Sequence, residues 1–174
     1  MINYIEKYHT HLYYILGFFC FLLFFLQRIP GVTLKVGNAY PLLLLPAVMV
    51  AAALLREWAG FLTGLVCGIA LDTVHNGSAC FNTLAFIVIG VGFGLTFRFL
   101  LNRNIKSMIL AGGVGSLIFF LARWFFLVLL AGDSSAFKIL FKYELPSAIY
   151  SALFVIPFFI GFKKLSEKYL MHQS

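Results

Sequence analysis

The charged residues within the long apolar runs are the first candidates for chemistry. Asp72 ends a run that begins near Trp58, and Arg123 lies inside another run further along the chain. A carboxylate in hydrocarbon costs roughly 2.5–3.5 kcal/mol on insertion scales, so Asp72 must face protein, water or a counter-charge. At about 1.5 Å per helical residue, Asp72 and Arg123 lie about 21 and 24 Å along their helices. The sequence therefore predicts an Asp72–Arg123 ion pair, two polar ends of one cavity, or separate snorkelling to the membrane surface.

Glycines precede Asp72 at a regular spacing. Gly60, Gly64 and Gly68 recur at every fourth position, which places them with Asp72 on one slowly drifting stripe of a helix. Small residues at this spacing allow two helix backbones to approach closely in a bilayer. Two interpretations stay open: a close-packed helix with Asp72 near the membrane surface, or a polar contact at Asp72 that is central to function. We expect the glycines to pack within the protein, against the fourth or fifth helix.

Residue patterns for catalysis or for binding a cofactor or metal are missing from the sequence. The four His are scattered, and the three Cys lie in or beside apolar runs, where Cys usually acts as a small hydrophobe. Ser116 has Arg123 as its one basic neighbour at helical spacing, and arginine stays protonated and cannot act as a base. We therefore predict a protein that is not an enzyme and that binds no cofactor and no metal.

The composition predicts an all-α integral membrane protein. The chain is 62% hydrophobic and 11% charged, whereas soluble domains carry about 25% charged residues. Several apolar runs approach the roughly 20 residues that span a bilayer as a helix. We predict a single transmembrane domain over residues 1–174, a bundle of six helices joined by loops, the longest at 132–144, for which an interfacial amphipathic turn is an open alternative. The helices are expected at about 12–29, 40–55, 58–74, 80–101, 107–131 and 145–162.

The basic residues predict the orientation in the membrane. With six spans, both termini lie on one side, and that side carries eight Lys or Arg while the other carries four. Because cytoplasmic loops are enriched in Lys and Arg, both termini are expected in the cytoplasm. This bias, together with contact with anionic headgroups of the lipid bilayer, accounts for the net charge of +7 without nucleic acid.

Two stretches of the chain carry a resemblance to a known family. The run from Arg56 to Gly94 resembles the bacterial rod shape-determining protein MreD family, which has a glycine-spaced helix ending in Asp, a short turn and an Asn-containing helix start. The run from Phe141 to Phe159 is similar to the last helix of that family. One departure is Cys80, where the family often has a second glycine in the turn. The matching residues are Gly60, Gly64, Gly68, Asp72, Gly77, Asn82, Leu84, Pro146, Tyr150 and Pro157.

The resemblance implies a multi-pass protein of the bacterial cytoplasmic membrane in the cell-elongation (rod) complex. It implies a partner, the bitopic protein MreC, alongside MreB, RodA and a penicillin-binding transpeptidase. It also implies support of cell shape and lateral peptidoglycan synthesis without catalysis, and a fold like the substrate-binding subunits of energy-coupling-factor transporters.

The alternative is a small-molecule, vitamin-type substrate-binding subunit of a transporter. Such subunits have a small-residue face on their first helix, whereas the first helix here is rich in Phe and Leu, with Gly17 as the lone small residue before Cys20. This difference favours the rod-complex interpretation.

Overall fold

The computed structural model describes residues 18–20, 22–25, 27, 42–55, 57–73, 80–102, 104–130, 132 and 135–171. The described residues before position 28 are helical. Seven helices follow: α1 Leu44–Leu55, α2 Glu57–Asp72, α3 Phe81–Phe99, α4 Ile105–Trp124, α5 Ala136–Ile139, α6 Leu145–Leu153 and α7 Val155–Met171. A π-helical turn, Phe125–Leu129, extends α4, and a second, Leu140–Glu144, joins α5 to α6.

Three helical stretches of the described chain are long and apolar enough to cross a membrane. They are Phe81–Phe99, Ile105–Leu129 and Ala136–Lys164, with 19, 25 and 29 residues. The predicted span at 40–55 is shorter than expected, because α1 has 12 residues. At about 1.5 Å per residue, α1 extends about 18 Å, well short of a hydrocarbon core of about 30 Å.

Helix α1 lies at the centre of the described helices. Leu45, Ala47, Val48 and Met49 have no exposed surface, and α1 packs against α2, α3 and α7. Helix α1 is apolar on every side and has no polar face to turn towards solvent. Burial on all sides therefore stabilises it. Its start is held from another helix, because the backbone N–H of Leu42 donates to Ser151 Oγ at 3.0 Å.

Two antiparallel helix pairs surround α1. In the first, α2 and α3 run in opposite directions, with Gly60 beside Gly90 and Gly68 beside Thr83. In the second, α4 runs against the long helical stretch Ala136–Met171. We call these the α2–α3 pair and the α4–α6 pair.

The predicted loop at 132–144 is wrong in its second half, because Ala136–Glu144 is helical and continues into α6. Pro146 was expected to open the last helix, since proline lacks an N–H and its ring collides with the carbonyl four residues earlier. The helix passes through this position with a wider turn, in which the N–H of Leu145 bonds to the carbonyl of Leu140, five residues back. The π-helical turn therefore accommodates the proline without ending the helix.

The last predicted helix also extends beyond its expected end at 162, since α7 runs to Met171. A break separates α6 from α7 at Phe154, three residues before Pro157. Pro157 cannot donate to the carbonyl of Leu153, which explains why the regular helix is interrupted at this point.

Candidate functional site

The predicted glycine stripe of α2 lies directly against α3, which corresponds to the fourth predicted helix. A Cβ added to Gly64 would lie 2.6 Å from the carbonyl oxygen of Phe86, and one added to Gly68 would lie 2.9 Å from the amide nitrogen of Thr83. Real Cβ atoms do not approach backbone atoms this closely. Glycine at these positions therefore allows the two backbones to touch, as in small-residue helix pairs in membranes.

The contact continues to the other end of α2, where glycine faces glycine. An added Cβ on Gly60 would collide with the carbonyl of Gly90, and one on Gly90 would collide with the carbonyl of Gly60. The Gly60 position also faces Ala52 of α1, whose Cβ would lie 2.7 Å away. The stripe thus joins α2 to α3 and seats both on the central helix.

Asp72, at the end of this stripe, binds the start of α3. Its Oδ1 accepts from the side-chain amide of Asn82 at 2.9 Å and from the Asn82 backbone N–H at 3.2 Å. Its Oδ2 accepts from the Thr83 backbone N–H at 2.9 Å and from the Thr83 hydroxyl at 2.6 Å. The first N–H groups of a helix lack intrahelical partners and carry the positive end of the helix dipole. A carboxylate here therefore stabilises α3 both by accepting these hydrogen bonds and by its negative charge.

Helix α3 is capped by Asp72 of α2, because the residue before α3, Cys80, makes no capping hydrogen bond with its side chain. Cys80 has φ 63° and ψ 12°, in the left-handed region. A non-glycine residue pays roughly 1–2 kcal/mol for that conformation. This is the position at which glycine was expected from the resemblance, and the backbone has kept a glycine-like geometry.

An ion pair closes the opposite end of the α2–α3 pair. Arg98, in the last turn of α3, donates through its Nη1 atom to Glu57 Oε1, in the first turn of α2. Both charges also suit the dipoles of their own helices, because acids favour the first turn and bases the last. The pair is therefore held at both ends by charged side chains, with glycine contacts between them.

Of the three alternatives for Asp72 and Arg123, the direct ion pair is wrong: in the residues that the structure describes, Arg123 lies against Glu144 instead. Arg123 Nε and Glu144 Oε1 are 3.9 Å apart, and the two side chains are 33% and 10% exposed. The reason is that Glu144 belongs to the α4–α6 pair, whereas Asp72 is occupied at the start of α3. Glu144 was missed because the sequence analysis placed it in a loop.

The remaining predicted residues are Asn82, Gly77, Pro146 and Tyr150. Asn82 is buried and contributes to the Asp72 contact, while Gly77 lies outside the described residues. Pro146 lies near the start of α6, and the Tyr150 ring packs edge-on against Phe154 with centroids 5.5 Å apart. The predicted residues that the structure describes thus divide between the α2–α3 pair and the α4–α6 pair.

The residues that the sequence analysis missed have recognisable signals in retrospect. Thr83 follows Asn82 at a helix start, where hydroxyl and amide side chains are common. Glu57 and Arg98 are charges just inside the ends of two apolar runs that had to be neighbours. Glu144 gave the weakest signal, because its burial depends on a helix continuing through Pro146.

The polar side chains considered as candidates for chemistry, Asp72 and Ser116, are engaged in hydrogen bonds within the protein. Each Asp72 oxygen already accepts two hydrogen bonds, and the Ser116 hydroxyl bonds to the carbonyl of Gly113 in its own helix at 3.0 Å. Among the residues that the structure describes, no three His, Cys, Asp or Glu side chains are grouped as metal ligands would be.

Comparison with known proteins gives one match. No curated protein and no solved structure matches the chain. The family model of the rod shape-determining protein MreD matches residues 8–169, which is nearly the whole chain of 174 residues. The chain therefore belongs to the MreD family of rod shape-determining proteins.

Proposed function

We propose that this membrane protein is a non-catalytic scaffold of the bacterial cell-elongation complex, which binds MreC and supports lateral peptidoglycan synthesis. Family membership supports a role in rod shape. The observation that carries the scaffold proposal is the α2–α3 pair, in which glycine contacts, the Asp72 cap and the Glu57–Arg98 pair all fix one helix on another. Such a rigid unit suits a protein that positions partners.

The charged side chains support a role without catalysis. Asp72 and Glu144 are the two acids considered for catalysis, and each has a partner inside the protein. A general acid or base must be able to reach a substrate proton, and a carboxylate engaged in a helix cap is poorly placed for that.

We further propose six membrane spans with both termini in the cytoplasm. The Lys and Arg distribution of the sequence supports this orientation. Helix α1 forms the core of the second of these spans, and all of its residues except Leu54 are buried. In this arrangement, Glu57 and Arg98 lie at the cytoplasmic end, and Asp72 lies at the outer end of the same pair.

Through MreC, the scaffold would act beside MreB, RodA and a penicillin-binding transpeptidase. The transporter-subunit alternative requires a ligand pocket in the middle of the bundle. Leu45, Ala47, Val48 and Met49 of α1 fill the centre of the described helices with apolar side chains that have no exposed surface. This packing favours the scaffold.

Depletion of the protein from its native rod-shaped cell tests the proposal. We expect the cells to become round and the recovery of MreC with the remaining elongation proteins to fall. Complementation with the unaltered gene must restore both properties. Rod-shaped cells with a defect in vitamin uptake would contradict the scaffold proposal and support the transporter alternative.

A further inference from the structure

The apolar helical stretch that begins at Ala136 is longer than the hydrocarbon core of a membrane is thick. The apolar stretch Ala136–Lys164 has 29 residues, or about 43 Å of helix, against about 30 Å of hydrocarbon. Lys163 and Lys164 mark one membrane surface, since basic side chains gather where the apolar stretch ends. About nine residues at the other end, Ala136–Glu144, therefore extend into the opposite headgroup layer.

This end segment has the composition of an interfacial helix. Lys138 and Lys142 are exposed and lie four residues apart, about one helical turn. Phe137 and Phe141, each preceding a lysine, are 67% and 68% exposed. Exposed aromatic rings alternate here with cationic groups, so the segment can contact acyl chains and headgroups at the same depth.

Arg123 lies on α4 just below this level, on the side of the buried Glu144 and away from the two exposed lysines. It lies about 26 Å along α4 from Lys106, within a few ångströms of the far edge of the hydrocarbon. Trp124, the next residue, ties this part of α4 to α5, since its indole N–H donates to the carbonyl of Ala136 at 2.7 Å. Glu144 lies 3.9 Å from Arg123 Nε, so the one acid of the segment Ala136–Glu144 is paired inside the protein.

We propose that the exposed face of this segment binds the phosphate of an anionic phospholipid, with Lys138 and Lys142 contacting the headgroup and Phe137 and Phe141 contacting the acyl chains. The balance of charge supports an anion, because the two charges on the exposed face of Ala136–Glu144 are both lysines, while Glu144 is buried against Arg123. The proposal is separate from MreC binding.

The two tryptophans of the chain allow a direct test. Trp124 lies at the proposed lipid site, and Trp58 lies at the opposite end of the helices, so Trp58→Phe leaves Trp124 as the reporter. The purified Trp58→Phe protein is placed in phosphatidylcholine bilayers that contain brominated phosphatidylglycerol or brominated phosphatidylcholine. Bromine quenches a nearby indole, so the two quenching curves give the relative affinity of the two lipids for the site.

We expect about fivefold preference for phosphatidylglycerol, the effect of about one cation at a membrane surface. Lys138→Gln with Lys142→Gln should bring the preference close to one. Lys106→Gln with Lys164→Gln removes the same charge from the other membrane surface and should leave it unchanged. Equal quenching by both lipids before any lysine is replaced, or equal loss in the two double variants, would overturn the proposal.

Discussion

The α2–α3 pair and the α4–α6 pair are both antiparallel, but different contacts hold them. In the α2–α3 pair, backbone touches backbone at Gly60, Gly64 and Gly68. In the α4–α6 pair, side chains separate the backbones: Gly112 faces Val155, the first residue of α7, whose side chain would lie 2.7 Å from an added Cβ. Their ion pairs differ as well: Arg98 donates a hydrogen bond directly to Glu57 in the α2–α3 pair, while Arg123 Nε and Glu144 Oε1 lie 3.9 Å apart in the α4–α6 pair.

This difference indicates which helix pair can adjust to a change in side-chain volume. A side chain can change rotamer to relieve a collision, but a helix backbone can only move as a whole. Both π-helical turns also belong to the α4–α6 pair, and such turns change the direction of side chains along a helix. We therefore infer a rigid α2–α3 pair beside a more tolerant α4–α6 pair.

Gly64→Ala is the strongest test of this comparison. The new methyl group would collide with the Phe86 carbonyl, so we expect the free energy of unfolding to fall by about 3 kcal/mol. The control is Gly92→Ala in α3, where an added Cβ meets nothing within 4 Å. This control should be neutral or stabilising by up to about 1 kcal/mol, because Ala favours helix. Equal unfolding free energies of the two variants in detergent would contradict the proposed tight contact.

Asp72→Ala should have the second largest effect. The change leaves donors of Asn82 and Thr83 without their acceptor, and we expect a loss of about 2 kcal/mol in the free energy of unfolding. Asp72→Asn keeps one side-chain oxygen and should lose about half as much. The same unfolding measurement checks both variants, and an unchanged Asp72→Ala protein would show that the cap contributes little.

Arg123→Gln tests the looser ion pair and should lower the free energy of unfolding by about 1 kcal/mol, since Arg123 is one-third exposed. Adding Glu144→Gln removes the partner charge that the first change leaves buried. The double variant should recover most of the loss, as a double-mutant cycle measures directly. A loss larger than that of Asp72→Ala would reverse the order of the two helix pairs.

Cys80→Gly should have the smallest effect, and a favourable one. Glycine adopts the left-handed conformation of this turn without strain, but it loses more chain entropy on folding. We expect a net gain of about 0.5 kcal/mol, seen as a slightly higher melting temperature. A lower melting temperature would mean that the cysteine side chain makes a contact that outweighs the backbone strain.

The sequence pattern predicted the helices whose signals are local. The runs at 58–74 and 80–101 differ from α2 and α3 by one or two residues at each described end, because apolar composition and flanking turns define such helices. The importance of Asp72 was also predictable, since a lone carboxylate in an apolar run needs a partner. The partners of Asp72 were not predictable, because Asn82 and Thr83 come close to it only when α2 and α3 pack together.

The errors have a common origin in non-local structure. Pro146 is a helix-breaking signal on its own, and only the wider turn that ends at Glu144 shows how the helix continues. The burial of Glu144 and its contact with Arg123 depend on that continuation. Helix α1 was predicted too long because its apolar run enters from residues before Leu44, and composition does not reveal where hydrogen bonding starts.

The hydrogen bond between Leu42 and Ser151 has a consequence for biosynthesis. The two residues are 109 positions apart, so the ribosome needs roughly 5 to 20 seconds after Leu42 to make the hydroxyl that Leu42 binds. Until then, the amide at the entrance of α1 has to find a temporary acceptor, in water or in the insertion machinery. A chain truncated before Ser151 would lack this acceptor permanently, so synthesis of α6 is needed to complete the hydrogen bonding at the start of α1.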